Sequence, residues 1–142
     1  LILGSFPSVK SREQGFFYGH PQNRFWQVLA GVFGCEIPGT IEEKKALLLS
    51  HSVALWDVIA SCEITGSSDS SIKNATPNDL RGILEDCDIH AIFVNGKTAE
   101  RLYIKHIQPQ IQRPAVRLPS TSPANAAWSL PRLIAEWERI KN

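Results

Sequence analysis

The sequence predicts an α/β fold, a three-layer sandwich whose central sheet is four-stranded and mainly parallel. Two observations support this prediction. Four short apolar runs have the composition of buried strands, and segments with helical spacing of apolar residues alternate with them. Because 142 residues are enough for one core, we expect a single domain over residues 1–142.

The predicted strands end in residues that could contribute to a ligand-binding site. The first stops at Gly4, the second carries Asp57 near its end, and the third stops at Asn95. Ligands of open parallel sheets bind beyond the carboxyl ends of the strands, so we expect a functional site at this edge. The four strands are predicted over residues 1–3, 53–59, 91–94 and 115–118.

Local start and stop signals predict the helices. Helical spacing begins at Arg24, and Gly34 suits a left-handed cap. Thr40 and Glu43 have the spacing of a capping box, and Thr76, followed by a proline, predicts a further helix start. The helices are predicted over about residues 24–33, 40–50, 76–87 and 97–107, with a last one near 130–137 and a long surface loop over 61–75.

Composition excludes several classes of protein. No apolar run approaches the roughly 20 residues that a membrane helix needs. The three cysteines are far apart, which argues against disulfides and iron–sulfur clusters, and the four histidines lack the spacing of zinc ligands. P-loop, dinucleotide and nucleophile-elbow motifs do not occur, so we expect no cofactor and no metal. The net charge of +1 means that any DNA binding must use a local face.

Residues 16–26 combine aromatic, cationic and amide side chains more densely than a globular core requires. Phe25 and Trp26 follow helical spacing and are expected in the core. Tyr18 precedes the helix in a loop, where stacking on a base would explain an aromatic ring. Asn23 has two interpretations, a helix N-cap or a functional amide, and its aromatic neighbours favour the second.

A second loop, residues 119–125, places three hydroxyl residues between two prolines. One interpretation is a turn that caps the last helix. The other is a rigid loop that binds DNA phosphates, because prolines reduce the entropy lost on binding. The two interpretations are about equally supported. The hydroxyl residues are Ser120, Thr121 and Ser122.

Three segments together resemble the uracil-DNA glycosylase superfamily. Gly-Ser-Phe-Pro at residues 4–7 is similar to its first motif, and Leu-Pro-Ser-Thr-Ser-Pro at 118–123 is similar to its second. His-Pro-Gln-Asn-Arg-Phe-Trp at 20–26 resembles the block after the first motif in the mismatch-specific branch. The combination most resembles the hypoxanthine-DNA glycosylase branch, and the resemblance covers nearly the whole chain.

The resemblance implies roles for individual residues. Phe6 stands where many relatives carry a water-positioning Asp or Asn, so that role passes to Asn23, as in the hypoxanthine branch. Leu118 stands where uracil enzymes carry a histidine that bonds the leaving base. The implied base pocket contains Ser5, Phe6, Tyr18 and His20, to which we add Asp57 from its position at the end of the second strand. The implied DNA contacts are Ser8, Ser120, Thr121, Ser122, Pro123 and Asn125.

Asp57 has a role suggested by its chemistry. A carboxylate accepts hydrogen bonds, so it could accept from hypoxanthine N1–H but would face a lone pair at adenine N1. The alternative, slightly favoured by the sequence, is that Asp57 accepts hydrogen bonds from backbone amides of the following loop.

The resemblance therefore implies a monofunctional DNA glycosylase of base-excision repair. Its substrate would be double-stranded DNA with a flipped deaminated base, hypoxanthine first and uracil second. We expect a monomer in the cytoplasm, associated with the nucleoid and not with a membrane. The alternative is a catalytically silent DNA- or nucleotide-binding module of the same fold, because Phe6 occupies the usual catalytic position.

Overall fold

The computed structural model describes residues 1–5, 17–18, 22–63 and 73–141. Four strands form a central sheet in which every neighbouring pair is parallel, in the order β2-β1-β5-β6. The fold class predicted from the sequence is confirmed. The strands are β1 (Ile2–Gly4), β2 (Leu55–Asp57), β3 (Ile59–Glu63), β4 (Lys73–Pro77), β5 (Phe93–Asn95) and β6 (Val116–Leu118).

The strand register brings the predicted edge together. Gly4 pairs with Asp57 across β1 and β2, and Asn95 pairs with Leu118 across β5 and β6. All four residues are the last of their strands. Residues separated by up to 114 positions in the sequence thus lie along one edge of the sheet.

The hairpin of β3 and β4 corrects the predicted loop over residues 61–75. The two strands pair antiparallel, from Ile59 opposite Pro77 to Glu63 opposite Lys73, with shifts in register between them. The predicted helix start at Thr76 is also wrong, because Thr76 pairs with Ser61 in this hairpin. The residues of β3 and β4 lack the apolar alternation that predicts strands.

The helices mostly follow their predicted signals. Gly34 caps the first helix with a φ of 66°, and the Thr40 side chain accepts a hydrogen bond from the Glu43 amide. The third helix begins at Arg81, after an Asp79 carboxylate that accepts its N–H. The helices are α1 (Phe25–Phe33), α2 (Ile41–Ser50), α3 (Arg81–Asp86), α4 (Lys97–Leu102), α5 (Gln108–Ile111) and α6 (Leu130–Trp137).

A π-helical segment, Tyr103–Ile107, joins α4 to α5, where the sequence predicts a single helix to about residue 107. Pro109 follows directly and has no amide hydrogen for the regular ladder. A local change of helical pitch is a common response to such a break. The helical path continues to Ile111 and ends at Gln112, whose φ is 55°.

Two hydrophobic clusters cover the two faces of the sheet. Ile2 and Leu3, adjacent on β1, belong to different clusters, as strand alternation requires. Helices α1 and α6 pack on the first face, where a Cβ on Gly31 would lie 2.4 Å from Ile134 Cδ1. Helix α4 packs on the second face. None of the helices in the described part of the chain is long and apolar enough to cross a membrane.

Candidate functional site

The carboxyl edge of the sheet collects most of the residues that the sequence singles out. Three of them, Phe6, Ser8 and His20, lie outside the described residues. The others fall on two sides of this edge, with Asp57 at the end of β2 and the 119–125 loop after β6. The described candidates are Ser5, Tyr18, Asn23, Asp57, Ser120, Thr121, Ser122, Pro123 and Asn125.

Asn23 lies two residues before α1, and its side chain supports the start of the helix. The Phe25 N–H donates to Asn23 Oδ1 at 3.0 Å, which satisfies one of the amides left unpaired at a helix start. The Thr121 hydroxyl donates to the same oxygen at 2.8 Å. The geometry therefore fits the interpretation of Asn23 as a helix cap. Asn23 Nδ2 makes no hydrogen bond with any described residue.

Thr121 connects Asn23 to the end of β5. Asn95 Nδ2 donates to Thr121 Oγ1 at 3.0 Å, and the Thr121 N–H donates to Asn95 Oδ1 at 3.1 Å. We call Asn23, Thr121 and Asn95 the amide network. Thr121 is fully buried, and its hydroxyl is engaged on both sides, so its side chain is not available to a DNA phosphate in this conformation.

Two backbone amides determine the direction of every hydrogen bond in the amide network. The Thr121 N–H can only donate, so the atom of Asn95 that faces it must be the oxygen. The Phe25 N–H imposes the same orientation on Asn23. The Thr121 hydroxyl, which accepts from Asn95, is then left to donate to Asn23. Both amide orientations thus follow from chemistry as well as from atomic positions.

Tyr18 is held in an unusual backbone conformation, with a φ of 54°. Its ring stacks on Phe25, with centroids 4.0 Å apart and planes inclined by 17°. The hydroxyl is buried without a well-formed hydrogen bond among the described residues, although Asn95 lies near it. Burial first, and then the charge of Asp57, raise the pKa of the Tyr18 phenol well above its usual range. Strained residues with unpaired buried polar groups are concentrated at functional sites.

Asp57 is 8% exposed, and its carboxyl group makes no hydrogen bond with any described residue. Burial raises the pKa of this carboxyl to about 7. The contacts to backbone amides that the sequence slightly favoured do not occur within the described residues, where Asn78 Nδ2 instead donates to the Asp57 backbone carbonyl. An unpaired buried carboxyl at the ligand-binding edge of a parallel sheet is a typical feature of a functional site.

The 119–125 loop is built by its own side chains. The Ser122 N–H donates to Ser120 Oγ at 3.0 Å, and the Ala124 N–H donates to Ser122 Oγ at 3.2 Å. These contacts fit the interpretation of the segment as a turn. Because each serine oxygen accepts a hydrogen bond, both hydroxyl hydrogens remain available to donate to a phosphate. Asn125 Nδ2 donates to the Ser120 carbonyl at 3.0 Å. Pro123 is exposed at the start of a 3-10 turn, Pro123–Asn125.

Comparisons with known proteins identify the family of the chain. The family model of the uracil DNA glycosylase superfamily matches residues 1–141. The chain belongs to the uracil DNA glycosylase superfamily. It is accordingly a DNA glycosylase, an enzyme that acts on DNA.

One named relative and a solved structure match almost the whole chain, and a second named relative matches about two thirds of it. The chain is 35% identical over 142 residues to a hypoxanthine DNA glycosylase of Methanosarcina acetivorans, covering 99% of this chain and 88% of that protein. It is 32% identical over 100 residues to a hypoxanthine DNA glycosylase of Methanosarcina barkeri, covering 68% and 63%. The solution NMR structure of a proposed uracil DNA glycosylase from M. acetivorans superposes with a TM-score of 0.80 at 29% identity, covering 99% of this chain and 89% of that one.

In this DNA glycosylase, Arg24 has a structural role that the sequence did not reveal. Its guanidinium donates to the Trp128 carbonyl at 2.5 Å and to the Asn125 carbonyl at 3.1 Å, and its own N–H donates to the Thr121 carbonyl at 3.1 Å. Arg24 therefore attaches the loop to the start of α1. Its position beside Asn23 was the only signal available in the sequence.

Asn95 is the second residue that sequence analysis did not assign to the site. It was identified as the end of a strand, which was the available signal, but its partner Thr121 is 26 positions away. Gly96, with a φ of 95°, contributes to the same corner, since a Cβ there would lie 2.9 Å from Ser120 Cβ. In the part of the chain that the structure describes, no three His, Cys, Asp or Glu residues are grouped to hold a metal ion.

Proposed function

We propose that this DNA glycosylase excises hypoxanthine from double-stranded DNA, and uracil as a secondary substrate, by hydrolysing the N-glycosidic bond of a flipped base. The carboxyl of Asp57, buried at the carboxyl edge of the sheet and without a hydrogen bond to any described residue, is the observation that most favours a deaminated base. The two named relatives support the same substrate. The enzyme would act as a monomer of one domain, on the nucleoid in the cytoplasm.

The chemistry of the pocket suits a base with a lactam edge. Hypoxanthine presents N1–H as a donor and O6 as an acceptor, and uracil presents N3–H and O4. The ionised Asp57 carboxylate would accept the ring N–H. Adenine instead presents a lone pair at N1, and leaving the buried acceptor unpaired would cost about 1–3 kcal/mol. Tyr18, with one ring face already on Phe25, would offer its other face to the base.

Asn23 is the proposed catalytic residue. An amide cannot take a proton from water as a carboxylate does, so bond cleavage must run ahead of water attack. The electron pair of the glycosidic bond leaves with the base, and water then adds to the oxocarbenium-like sugar. Deaminated bases suit this route because their carbonyl oxygen delocalises the negative charge that develops on the departing base.

The remaining residues would hold the DNA. The hydroxyls of Ser120 and Ser122 would donate to phosphates that flank the flipped nucleotide. Pro123 and Asn125 would enter the space that the base leaves. Thr121 is not proposed as a phosphate contact, because its hydroxyl is already engaged in the amide network. Ser5, Phe6 and His20 would complete the pocket, and Ser8 would add a phosphate contact.

The test is excision from labelled duplexes that carry a single hypoxanthine, uracil, xanthine or unmodified adenine, followed by alkaline cleavage of abasic sites. We expect cleavage at hypoxanthine, and loss of about 100-fold or more in Asn23→Ala with DNA affinity retained. Cleavage at uracil alone would reject hypoxanthine as the substrate. Binding without any cleavage would support the silent DNA-binding module instead.

A further inference from the structure

The amide network bears on how Asn23 acts, and the argument rests on the function proposed above. Asn23 Oδ1 has two lone pairs, and two donors already occupy it, the Phe25 N–H and the Thr121 hydroxyl. The Nδ2 group has no partner among the described residues. The hydrogen-bonding capacity that the described residues leave free on this side chain is therefore a pair of donors.

We propose that Thr121 is a positioning residue, which with Asn95 holds the Asn23 oxygen inside the protein so that Asn23 acts on the base as a hydrogen-bond donor. This role differs from the water-orienting role that the family resemblance implies. A donor stabilises negative charge, and negative charge develops on the base as the glycosidic bond breaks. A donor bonded to the attacking water would instead make its oxygen a poorer nucleophile.

The step balances without a further reactant. The C1′–N bond breaks, and its electron pair leaves with the base, where the Asn23 N–H groups donate to an acceptor atom of the departing ring. Water bonds to C1′ and releases one proton, which the departed base takes up through solvent. Asn23 ends the cycle as the neutral amide that began it.

Thr121 tests the proposal because its two conservative replacements separate shape from hydrogen bonding. Thr121→Val keeps the shape and removes the hydroxyl, whereas Thr121→Ser keeps the hydroxyl and removes the methyl. We expect single-turnover excision to fall about tenfold in Thr121→Val, the value of one net hydrogen bond, and to stay near wild type in Thr121→Ser. DNA affinity should change in neither variant. A packing role would give the opposite order, and that order would overturn the proposal.

Asn95→Asp tests the direction of the network. An oxygen in place of Nδ2 would accept the Thr121 hydroxyl and draw it away from Asn23, so excision should fall as in Thr121→Val. Ser50→Ala, at the far end of α2, controls for the loss of a hydroxyl elsewhere. Excision that is unchanged in Asn95→Asp would count against the network.

Asn23→Asp tests the role of the amide. A carboxylate still accepts from Phe25 and Thr121 but has no donor, so we expect a loss of about 100-fold, as for Asn23→Ala. An Asn23→Asp enzyme as fast as wild type would show that the oxygen acts on water. Gln27→Glu, exposed on α1, adds the same charge and controls for repulsion of DNA.

Two further measurements keep this proposal separate from the proposed substrate. All variants are assayed on hypoxanthine and uracil duplexes in parallel. The activity of the wild-type enzyme then tests the proposed substrate, and the ratio of variant to wild-type activity tests the network. NMR of the free protein adds a test without activity. The Asn95 side-chain amide protons should exchange slowly with water and those of Asn23 rapidly, and the reverse pattern would contradict the network.

Discussion

Asp57 lies against Gly4 so closely that a Cβ on residue 4 would come within 2.7 Å of Asp57 Oδ1. The same Cβ would lie 3.0 Å from the Tyr18 hydroxyl. The carboxyl group of Asp57 and the phenol of Tyr18 thus both lie against the end of β1. Glycine at this position leaves room for both groups.

Gly4→Ala should lower excision and stability together. The added methyl must displace Asp57 or Tyr18, and overpacking of a buried site typically costs about 1–3 kcal/mol. The measurements are urea unfolding and single-turnover excision from a hypoxanthine duplex. Gly39→Ala is the matched control, since a Cβ there meets nothing within 4 Å. Equal behaviour of the two variants would contradict the close contact at Gly4.

Asp57→Asn should make stability less dependent on pH. Burial favours the neutral carboxyl and raises its pKa from 3.8 to about 7, so the stability it contributes is complete below about pH 4 and is lost as pH rises through 7. A shift of about 3 pKa units corresponds to roughly 4 kcal/mol. Urea unfolding at pH 5 and pH 8 should show a smaller decrease in Asp57→Asn than in wild type. Asp86→Asn, exposed on α3, should retain the wild-type decrease.

The same substitution should weaken discrimination between hypoxanthine and adenine. An asparagine offers both a donor and an acceptor, so adenine N1 no longer faces the ionised carboxylate, which can only accept. The ratio of single-turnover rates for the two bases should fall by a factor that corresponds to about 1–3 kcal/mol. Full discrimination against adenine in Asp57→Asn would reject this role for Asp57 and leave the remainder of the site unchanged.

Arg24→Lys should loosen the 119–125 loop and the turn that follows it to Trp128, without changing the charge. A single ammonium group cannot replace the fork that spans the Trp128 and Asn125 carbonyls. We expect faster amide hydrogen exchange across the loop and weaker binding to duplex DNA. The loss in stability should be about 2 kcal/mol, as for hydrogen bonds from a charged donor. Arg81→Lys, exposed on α3, is the control, and matching exchange in both variants would contradict this role.

The helix boundaries show which parts of the fold could be predicted. Thr40 and Gly34 act through contacts within a few residues, so their signals are present in the sequence and were confirmed. The hairpin of β3 and β4 and the π-helical segment depend on pairing and pitch, which leave weak local patterns. Predictions failed at Thr76 for this reason, because a proline that suits a helix start also ends a strand.

The sequence by itself determined the fold class and the family, and it predicted the sheet edge at which the candidate site residues lie, because apolar periodicity, strand ends and motifs are local in the chain. It also identified Asn23 and Asp57 as polar residues that are candidates for the site. Only the tertiary structure decided what these groups can do. The atoms that occupy Asn23 Oδ1 include a hydroxyl 98 positions away, and the burial that raises the pKa of Asp57 comes from packing around strands that meet only in the folded protein.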